Sequence, residues 1–404
     1  MSHAVTSTAP PRQFMLFTAD CHIKQRTWTN STLLKGDAIN AFGKMISNTV
    51  QYGEPLKHLV IGGDLFDNNR PTSRDLESVH RMISNFESVY YIRGNHDNVN
   101  PSYLEAIRPM MSVDSSHFNL VKLCYDVIPD GALVAYDAIP TEHVHLQGLS
   151  WDPSDSKFIG ALDNTINNWK KFQQEHPEDT LYLVLHCAFK HLLGFDGAYT
   201  LDIDMIKNMC GNAHINFLVG HIHTRDTTVY NENGNYIHSP GALYPLSSDH
   251  MGKQHFASLI NMVDGRIIDV PTDVRNYVHV NIKDIDKDIP GWLQTVPTIG
   301  SNRDLWELPA FITITVPEGY DKEIILPETD QYVFKIERRL ADIHKAATVA
   351  GPSYSINDAI REELQNEANR EMILEMAEEL LASDDPITTL NEWLTFWGVR
   401  KATC

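Results

Sequence analysis

From Phe14 to about Val270, short apolar runs alternate with longer amphipathic stretches. The runs are FMLFT at 14–18, HLVIG at 58–62, VYYIR at 89–93, LYLVL at 181–185 and INFLV at 215–219. Each is of strand length and rich in β-branched, aromatic or large aliphatic residues, which suit a pleated, buried surface. Between them, 36–52 and 73–86 read as helices. The second begins at a cap-forming Thr72 or Ser73 just after Pro71. This alternation predicts a layered α/β domain.

The pattern changes after residue 255. HFASLINMVDGRIIDV sets a DG pair between two apolar runs, a hairpin signal. Two further strand-like runs, YVHVNI at 277–282 and AFITITV at 310–316, flank a turn-rich stretch. Residues 275–350 are expected to form a small second α/β domain. From about 355 the chain becomes helical and acidic, with about ten acids against two Arg between Ser355 and Asp385. The expected organisation is a flexible leader at 1–13, a main domain at 14–274, the small domain at 275–350 and a helical tail at 351–404.

Bulk properties narrow the class. The chain has 404 residues, 42% hydrophobic and 21% charged, an ordinary globular balance with ample core. No apolar run is long enough to span a membrane, and the first dozen residues lack the apolar centre of a secretory signal. Five scattered cysteines without a CxxC suggest reduced thiols and a cytoplasmic protein. The formal charge of −20 argues against a broad basic surface gripping nucleic acid. It leaves room for nucleic acid held by metals, a few cations or a partner.

Each of the five runs leads at once into a polar cluster: Asp20 and His22; Asp64 and Asp67 in GDLFD; Asn95, His96 and Asp97 in GNHD; His186; and His221 and His223 in GHIHT. Asp20 and His22, two residues apart in an extended segment, are expected to point the same way, with Cys21 pointing elsewhere. In open α/β folds ligands gather at the carboxyl ends of strands, so five such ends would pool these side chains. Carboxylates and imidazoles without thiolates suit a pair of divalent ions such as Mn, Fe or Zn. Gly62, Gly63, Gly94 and Gly220 are expected to permit tight turns and unusual φ after the strands.

The order DxH, GDxxD, GNHD, H, GHxH resembles the calcineurin-like metallophosphoesterases. The resemblance implies a β-sandwich flanked by helices, with a small α/β capping domain and a C-terminal helical tail. It implies that Asp20, His22, Asp64 and His223 hold one metal, and that Asp64, Asn95, His186 and His221 hold the other, with Asp64 bridging. His96 would face the substrate and help protonate the leaving oxygen. Asp97 would orient His96 by a hydrogen bond.

Within that superfamily, GGDLFDNNRPTSRDL and IRGNHD resemble the SbcD-type DNA nucleases, relatives of the meiotic recombination (Mre) nuclease. The protein phosphatases have GDxVDRG and GNHE instead. YIHSPGALYPLSSD at 236–249 is similar to the segment that follows GHxH in the SbcD type. Some members carry a His where this chain has Asp67, a position given a substrate-aligning role. The resemblance implies a Mn-dependent nuclease, 3′→5′ on duplex ends and endonucleolytic on single strands. It also implies a homodimer through helices near 73–110, and a tail docked on an SbcC-like, SMC-type ATPase subunit. The short tail is what a phage-encoded version would show.

Plainer readings stand beside these. Asp67 and Asp97 are also types that form turns and cap helices. Lys24, Arg26 and Arg93 lie near the motifs and could meet phosphates. Trp393, Phe396 and Trp397 could dock a partner or pack at home. His238 could lie near the metal rim. A small-molecule phosphodiesterase or phosphatase is the alternative function, motivated by the acidic charge.

Overall fold

A computed structural model describes residues 14–24, 36–49, 57–68, 71–84, 86–97, 119–122, 137–138, 143–152, 154–190, 200–247, 250–296, 308–317, 319–327 and 331–338. The leader at 1–13, the tail at 351–404 with its aromatic residues, Arg26, and the 98–110 part of the expected dimer helices lie outside these residues.

The apolar runs form strands β1 (Phe14–Thr18), β2 (His58–Ile61), β3 (Ser88–Tyr91), β7 (Thr180–His186) and β10 (Ile215–Gly220). Also present are β4 (Asn119–Lys122), β5 (Asp137–Ala138), β6 (Val144–Leu149), β11 (Asp226–Val229), β12 (Tyr236–Ser239), β13 (Phe256–Asn261) and β14 (Ile267–Pro271). Two six-stranded sheets result, in the orders β14-β13-β1-β2-β3-β4 and β11-β12-β10-β7-β6-β5. The short strands β8 (Ala188–Phe189) and β9 (Thr200–Leu201) pair with each other in a separate two-stranded sheet. β1 to β4 run parallel, as do β6, β7, β10 and β12. The DG signal is realised as the antiparallel β13–β14 hairpin.

The central strands of each sheet are buried on both faces, which explains the unbroken apolar runs. Between the sheets lie Met15, Phe17, Val60 and Tyr90 from one and Tyr182, Val184 and Leu218 from the other. The alternate residues face outward. Leu16, Leu59, Ile61 and Val89 pack on α1 (Asp37–Thr49) and α2 (Ser73–Ile83) through Phe42, Met45, Val79 and Ile83. Leu181, Leu183, Phe217 and Val219 pack on α3 (Asp155–Glu175) and α4 (Ile203–Cys210) through Leu162, Ile166, Trp169 and Ile206. The result is a helix–sheet–sheet–helix sandwich. At α2 the cap is Thr72, in a reciprocal capping box with Asp75.

Cα packing divides the chain into two units. The first is Met1–His279, Pro290–Thr313 and Pro327–Lys335; the second is Val280–Ile289, Ile314–Leu326 and Ile336–Cys404. A three-stranded sheet runs in the order β15 (Tyr277–Asn281), β16 (Ala310–Val316), β17 (Tyr332–Arg338). In the first unit, Tyr277, Phe311 and Val333 form a small core with Met251. There Asp37 accepts hydrogen bonds from Arg275 Nη2 at 2.5 Å and Tyr277 Oη at 3.1 Å. In the second, α5 (Ile282–Ile285) leads to Asp286, which pairs with Lys322 at 2.8 Å. No described helix is long and apolar enough to cross a membrane.

Candidate metal centre

The loops that leave β1 and β2 remain paired after the strands end. Gly62 donates to Thr18, Asp20 to Gly63, His22 to Asp64 and Ile23 to Leu65, at 2.8–3.1 Å. This backbone ladder holds the DxH and GDxxD segments side by side. The loop after β3 joins them through Asp64 Oδ1, which accepts from the His96 amide at 2.8 Å. The loops after β7 and β10 close the ring: Cys187 N donates to Gly220 O, and His221 N reaches both Asp20 oxygens at 2.9 Å.

The side chains converge as a consequence. His186 Nε2 lies 3.3 Å from Asp64 Oδ2 and 3.0 Å from Asn95 Oδ1, and His221 Nδ1 lies 3.1 Å from the same Asn95 oxygen. His22 Nε2 is 3.7 Å from Asp64 Oδ2, and His223 Nε2 is 3.9 Å from Asp20 Oδ1. Three sets of potential ligand atoms each fall within 4.8 Å: Asp20, His22 and His223; Asp20, Asp64 and His186; and His22, Asp64 and His96. All seven expected ligands are thus brought together, and His96 stands beside them.

The means of convergence differ from expectation. Asp20 and His22 are not extended; both are left-handed, with φ of 49° and 41°. Asp64 and His221, at 50° and 90°, are left-handed too, and these four are the only described non-glycine residues with positive φ. Asp and His tolerate this region better than most types, but it stores backbone strain. Cys21 does point away, into the core under α1. Of the four glycines, only Gly63 has positive φ, at 92°. The others are needed for close approach: a Cβ on Gly94 would lie 2.5 Å from Asp64 N, and one on Gly220 would lie 2.9 Å from His186 Nδ1.

The expected hydrogen bond from Asp97 to His96 is absent. Asp97 accepts instead from the Leu65, Phe66 and Gly94 amides, at 3.1, 3.2 and 3.4 Å, and so ties the second and third loops together. His96 Nδ1 is 2.7 Å from the Asp67 carbonyl, which fixes the ring. The Asp67 carboxylate is held by Lys24 at 2.8 Å and faces His22 Nδ1 at 3.5 Å. Lys24 is thereby committed to Asp67, and Arg93 is buried. His238 is not on the rim; it is buried between the sheets, bonded to Thr227 and Ser258 at 2.7 Å each.

Further residues support the loops, several of them in the YIHSPGALYPLSSD segment. Tyr244 Oη donates to the His22 carbonyl at 3.0 Å, and the Ser150 hydroxyl accepts from the Arg93 amide. The Pro-Gly turn of HSPGAL packs on the GHIHT loop: Ala242 N donates to His223 O at 3.2 Å. His250 meets the His223 ring edge-on, with centroids 5.9 Å apart. The free thiols Cys21, Cys187 and Cys210 are buried, which pushes their pKa values up.

Residues 15–225, more than half of the chain, match the family described as calcineurin-like phosphoesterase. The chain belongs to that family. Among solved structures, TT1561 of Thermus thermophilus aligns over 65% of this chain and 99% of its own. Its sequence identity is 13% and the TM-score 0.41. A 5′-nucleotidase precursor from the same organism aligns over 63% of this chain and 52% of its own, at 12% identity and a TM-score of 0.36. A search of curated proteins finds no match.

Calcineurin-like phosphoesterases typically bind two divalent ions, and the residues here fit them. His22 Nε2 is buried without a hydrogen-bond partner, an orphan that a cation would satisfy. Burial, with the neighbouring His186 and His22 rings respectively, lowers His221 to about 4 and His223 to about 3, so both are neutral and able to ligate. Burial raises the Asp20 carboxyl above its ordinary value, and nearby Asp64 adds to this. Burial also works against Asp64, but the adjacent His186 outweighs it and holds the carboxyl below the usual range. His186 Nδ1 donates to the Gly62 carbonyl at 2.8 Å, directing Nε2 into the centre. Burial works against a charge on His186 and His22, but the surrounding carboxylates outweigh it, raising His186 to about 9 and His22 above its ordinary value. Two cations would take the place of those protons as the counter-charge to the buried carboxylates.

Proposed function

We propose that this phosphoesterase is a Mn-dependent DNA nuclease of the SbcD type, 3′→5′ on duplex DNA and endonucleolytic on single strands. Its setting would be DNA repair, recombination or replication, beside an SMC-type ATPase subunit. The observation that carries the reading is the lock between the GDLFD and GNHD loops, in which the Asp67 carbonyl fixes His96 Nδ1 at 2.7 Å. These are the segments whose wording resembles SbcD nucleases rather than protein phosphatases.

Asp20, His22, Asp64 and His223 would hold one ion, and Asp64, Asn95, His186 and His221 the other. When bound, the ions supply Lewis acidity and a hydroxide nucleophile at neutral pH. With Nδ1 bound to a carbonyl, His96 keeps Nε2 for a proton donated to the leaving oxygen. Asp97 keeps the two loops in register, and Asp67 positions His96 and His22. A homodimer and an ATPase partner would supply the DNA grip that a chain of charge −20 lacks.

The test is digestion of end-labelled duplex and single-stranded DNA with Mn, using wild type, Asp64→Ala and His96→Ser. Wild type should cut and both variants should not. Absence of cleavage with Mn, with and without the ATPase subunit, overturns the proposal. The acidic charge favours a second reading, a phosphodiesterase or phosphatase acting on a small molecule. Chromogenic phosphodiesters or nucleotides turned over far faster than any DNA would select it.

A further inference from the structure

Beside the metal centre lies a pocket of about 150 Å³ that shares His223 with it. Its walls include Arg225, Gly241, His250, Lys253 and Gln254, and no carboxylate among the described residues lines it. In a chain of charge −20 a hollow whose described charged lining is cationic is unusual. Arg225 is already paired with Asp269 at 2.7 Å, and His255 with Asp273 at 2.8 Å. Lys253 is exposed and pairs with no described carboxylate. It is the lining cation whose charge is uncommitted among the described residues.

The pocket has a firm floor. Gly241 has φ of 74°, and a Cβ there would lie 2.8 Å from Arg225 N and 3.0 Å from His223 O. Only glycine lets the Pro240–Gly241–Ala242 turn sit this close to the His223–Arg225 backbone. The turn is pinned by Ser239 Oγ, which donates to Ile222 O at 3.1 Å and accepts from Gly241 N at 3.3 Å. His223 connects the two sites, facing Asp20 through Nε2 at 3.9 Å and His250 across its ring.

A cavity of this volume admits a small ring such as benzene, so a phosphoryl group fits with room for attached atoms. An ammonium on a flexible stem is a natural phosphate partner, and a side-chain amide adds a neutral donor. We propose that the pocket holds a second, non-reacting phosphoryl group of the substrate, with Lys253 and Gln254 as specificity-determining contacts. The inference rests on the phosphoesterase reading and makes it sharper: the preferred substrate carries a phosphate next to the one that is cleaved.

The kinetic test compares the dinucleotide TpT with its 5′- and 3′-phosphorylated forms, pTpT and TpTp, in Mn. Bis(p-nitrophenyl) phosphate, which has no second phosphoryl group, is the reference. Wild type should favour one phosphorylated form over TpT by about ten-fold in kcat/KM, and Lys253→Glu should bring that ratio to about one. A merely structural Lys253 would lower both substrates alike and leave the ratio unmoved, which overturns the proposal, as does a wild type without preference. Preference for adenosine 5′-diphosphate over all three dinucleotides, lost in Lys253→Glu, keeps the pocket but assigns it to a small molecule. Should wild type leave every ester intact, the phosphoesterase reading fails by itself. The pocket is then decided by calorimetric titration of the metal-free full chain with inorganic phosphate. Binding at least about ten-fold weaker in Lys253→Glu supports it, and equal binding overturns it.

Discussion

Gly94 faces Asp64 so closely that a methyl group on its α-carbon would lie 2.5 Å from the Asp64 amide nitrogen and closer still to the carboxylate. That contact joins two loops on adjacent parallel strands, and the carboxylate concerned is the one shared between the two expected ion sites. Gly94→Ala should push Asp64 out of place and weaken divalent-ion binding by about ten-fold or more, the usual cost of disturbing a ligand's support. Metal content after dialysis, read beside far-UV circular dichroism, checks this. Gly160 is the control: it lies exposed on α3 with nothing near its missing Cβ, and Gly160→Ala should add about 0.4–1 kcal/mol of stability.

His96 falls within ligand distance of His22 and Asp64, yet its Nδ1 is tied to the Asp67 carbonyl. The two facts assign it different work. As a proton donor, its replacement in His96→Asn should leave ion stoichiometry at the wild-type value while hydrolysis falls by about 10²–10⁴-fold. As a ligand, the same change should lower the ion count. Inductively coupled plasma analysis alongside turnover separates the outcomes, and loss of an ion would remove His96 from the proposed acid role.

Asp37 and Arg275 form an ion pair buried at the start of α1. Breaking one side strands the other charge in the interior, so Arg275→Met should cost about 3–5 kcal/mol. Removing both charges in Asp37→Leu/Arg275→Met should recover most of that loss. Urea denaturation of the single and double variants measures the coupling. Equal losses in both would show that Arg275 acts through its contact with Pro309 O and not through Asp37.

Acid sensitivity should arise partly at Asp179, which precedes β7 at the end opposite the expected ligand His186. Burial pushes its pKa up, but hydrogen bonds from His143 and His145, at 2.9 and 2.7 Å, outweigh burial and hold it below its ordinary value. The folded protein therefore keeps Asp179 ionised at a pH where the unfolded chain has begun to take up a proton. Its contribution is complete above the unfolded carboxylate pKa, near 4, and is lost as pH falls through the lower folded value. The gap in urea midpoint between wild type and Asp179→Asn should be constant above about pH 5 and shrink below about 4. A gap that widens on acidification would refute the assignment.

The strands were readable because the sandwich covers both faces of the central strands, which leaves FMLFT, LYLVL and INFLV as unbroken apolar runs. β6 passed unnoticed because VHLQGL carries His145 and Gln147, although every residue in it is buried. The residue types of the site could be read for the same reason as the strands: polar clusters stand out at the ends of apolar runs. Their backbone could not. Nothing in DCH announces that Asp20 and His22 are left-handed, since both types also live comfortably in extended chain. The part played by Asp97 was hidden as well. A carboxylate next to His96 in sequence reads as its partner, whereas the fold offers it three amides from neighbouring loops. His238 looked available because a lone imidazole near a motif invites a role, but hydroxyls from two strands satisfy it.

The left-handed conformations at Asp20, His22, Asp64 and His221 bear on any attempt to rebuild this centre elsewhere. A protein engineer who copied only the donor atoms onto another sandwich would inherit the wrong main-chain torsions and miss the geometry. Transplantation would have to carry whole loops, together with the small neighbours that leave them space. For library design within this chain, asparagine is the informative replacement at the two aspartates, because it accepts the same torsion while discarding the charge. Alanine there changes both properties at once and cannot tell them apart.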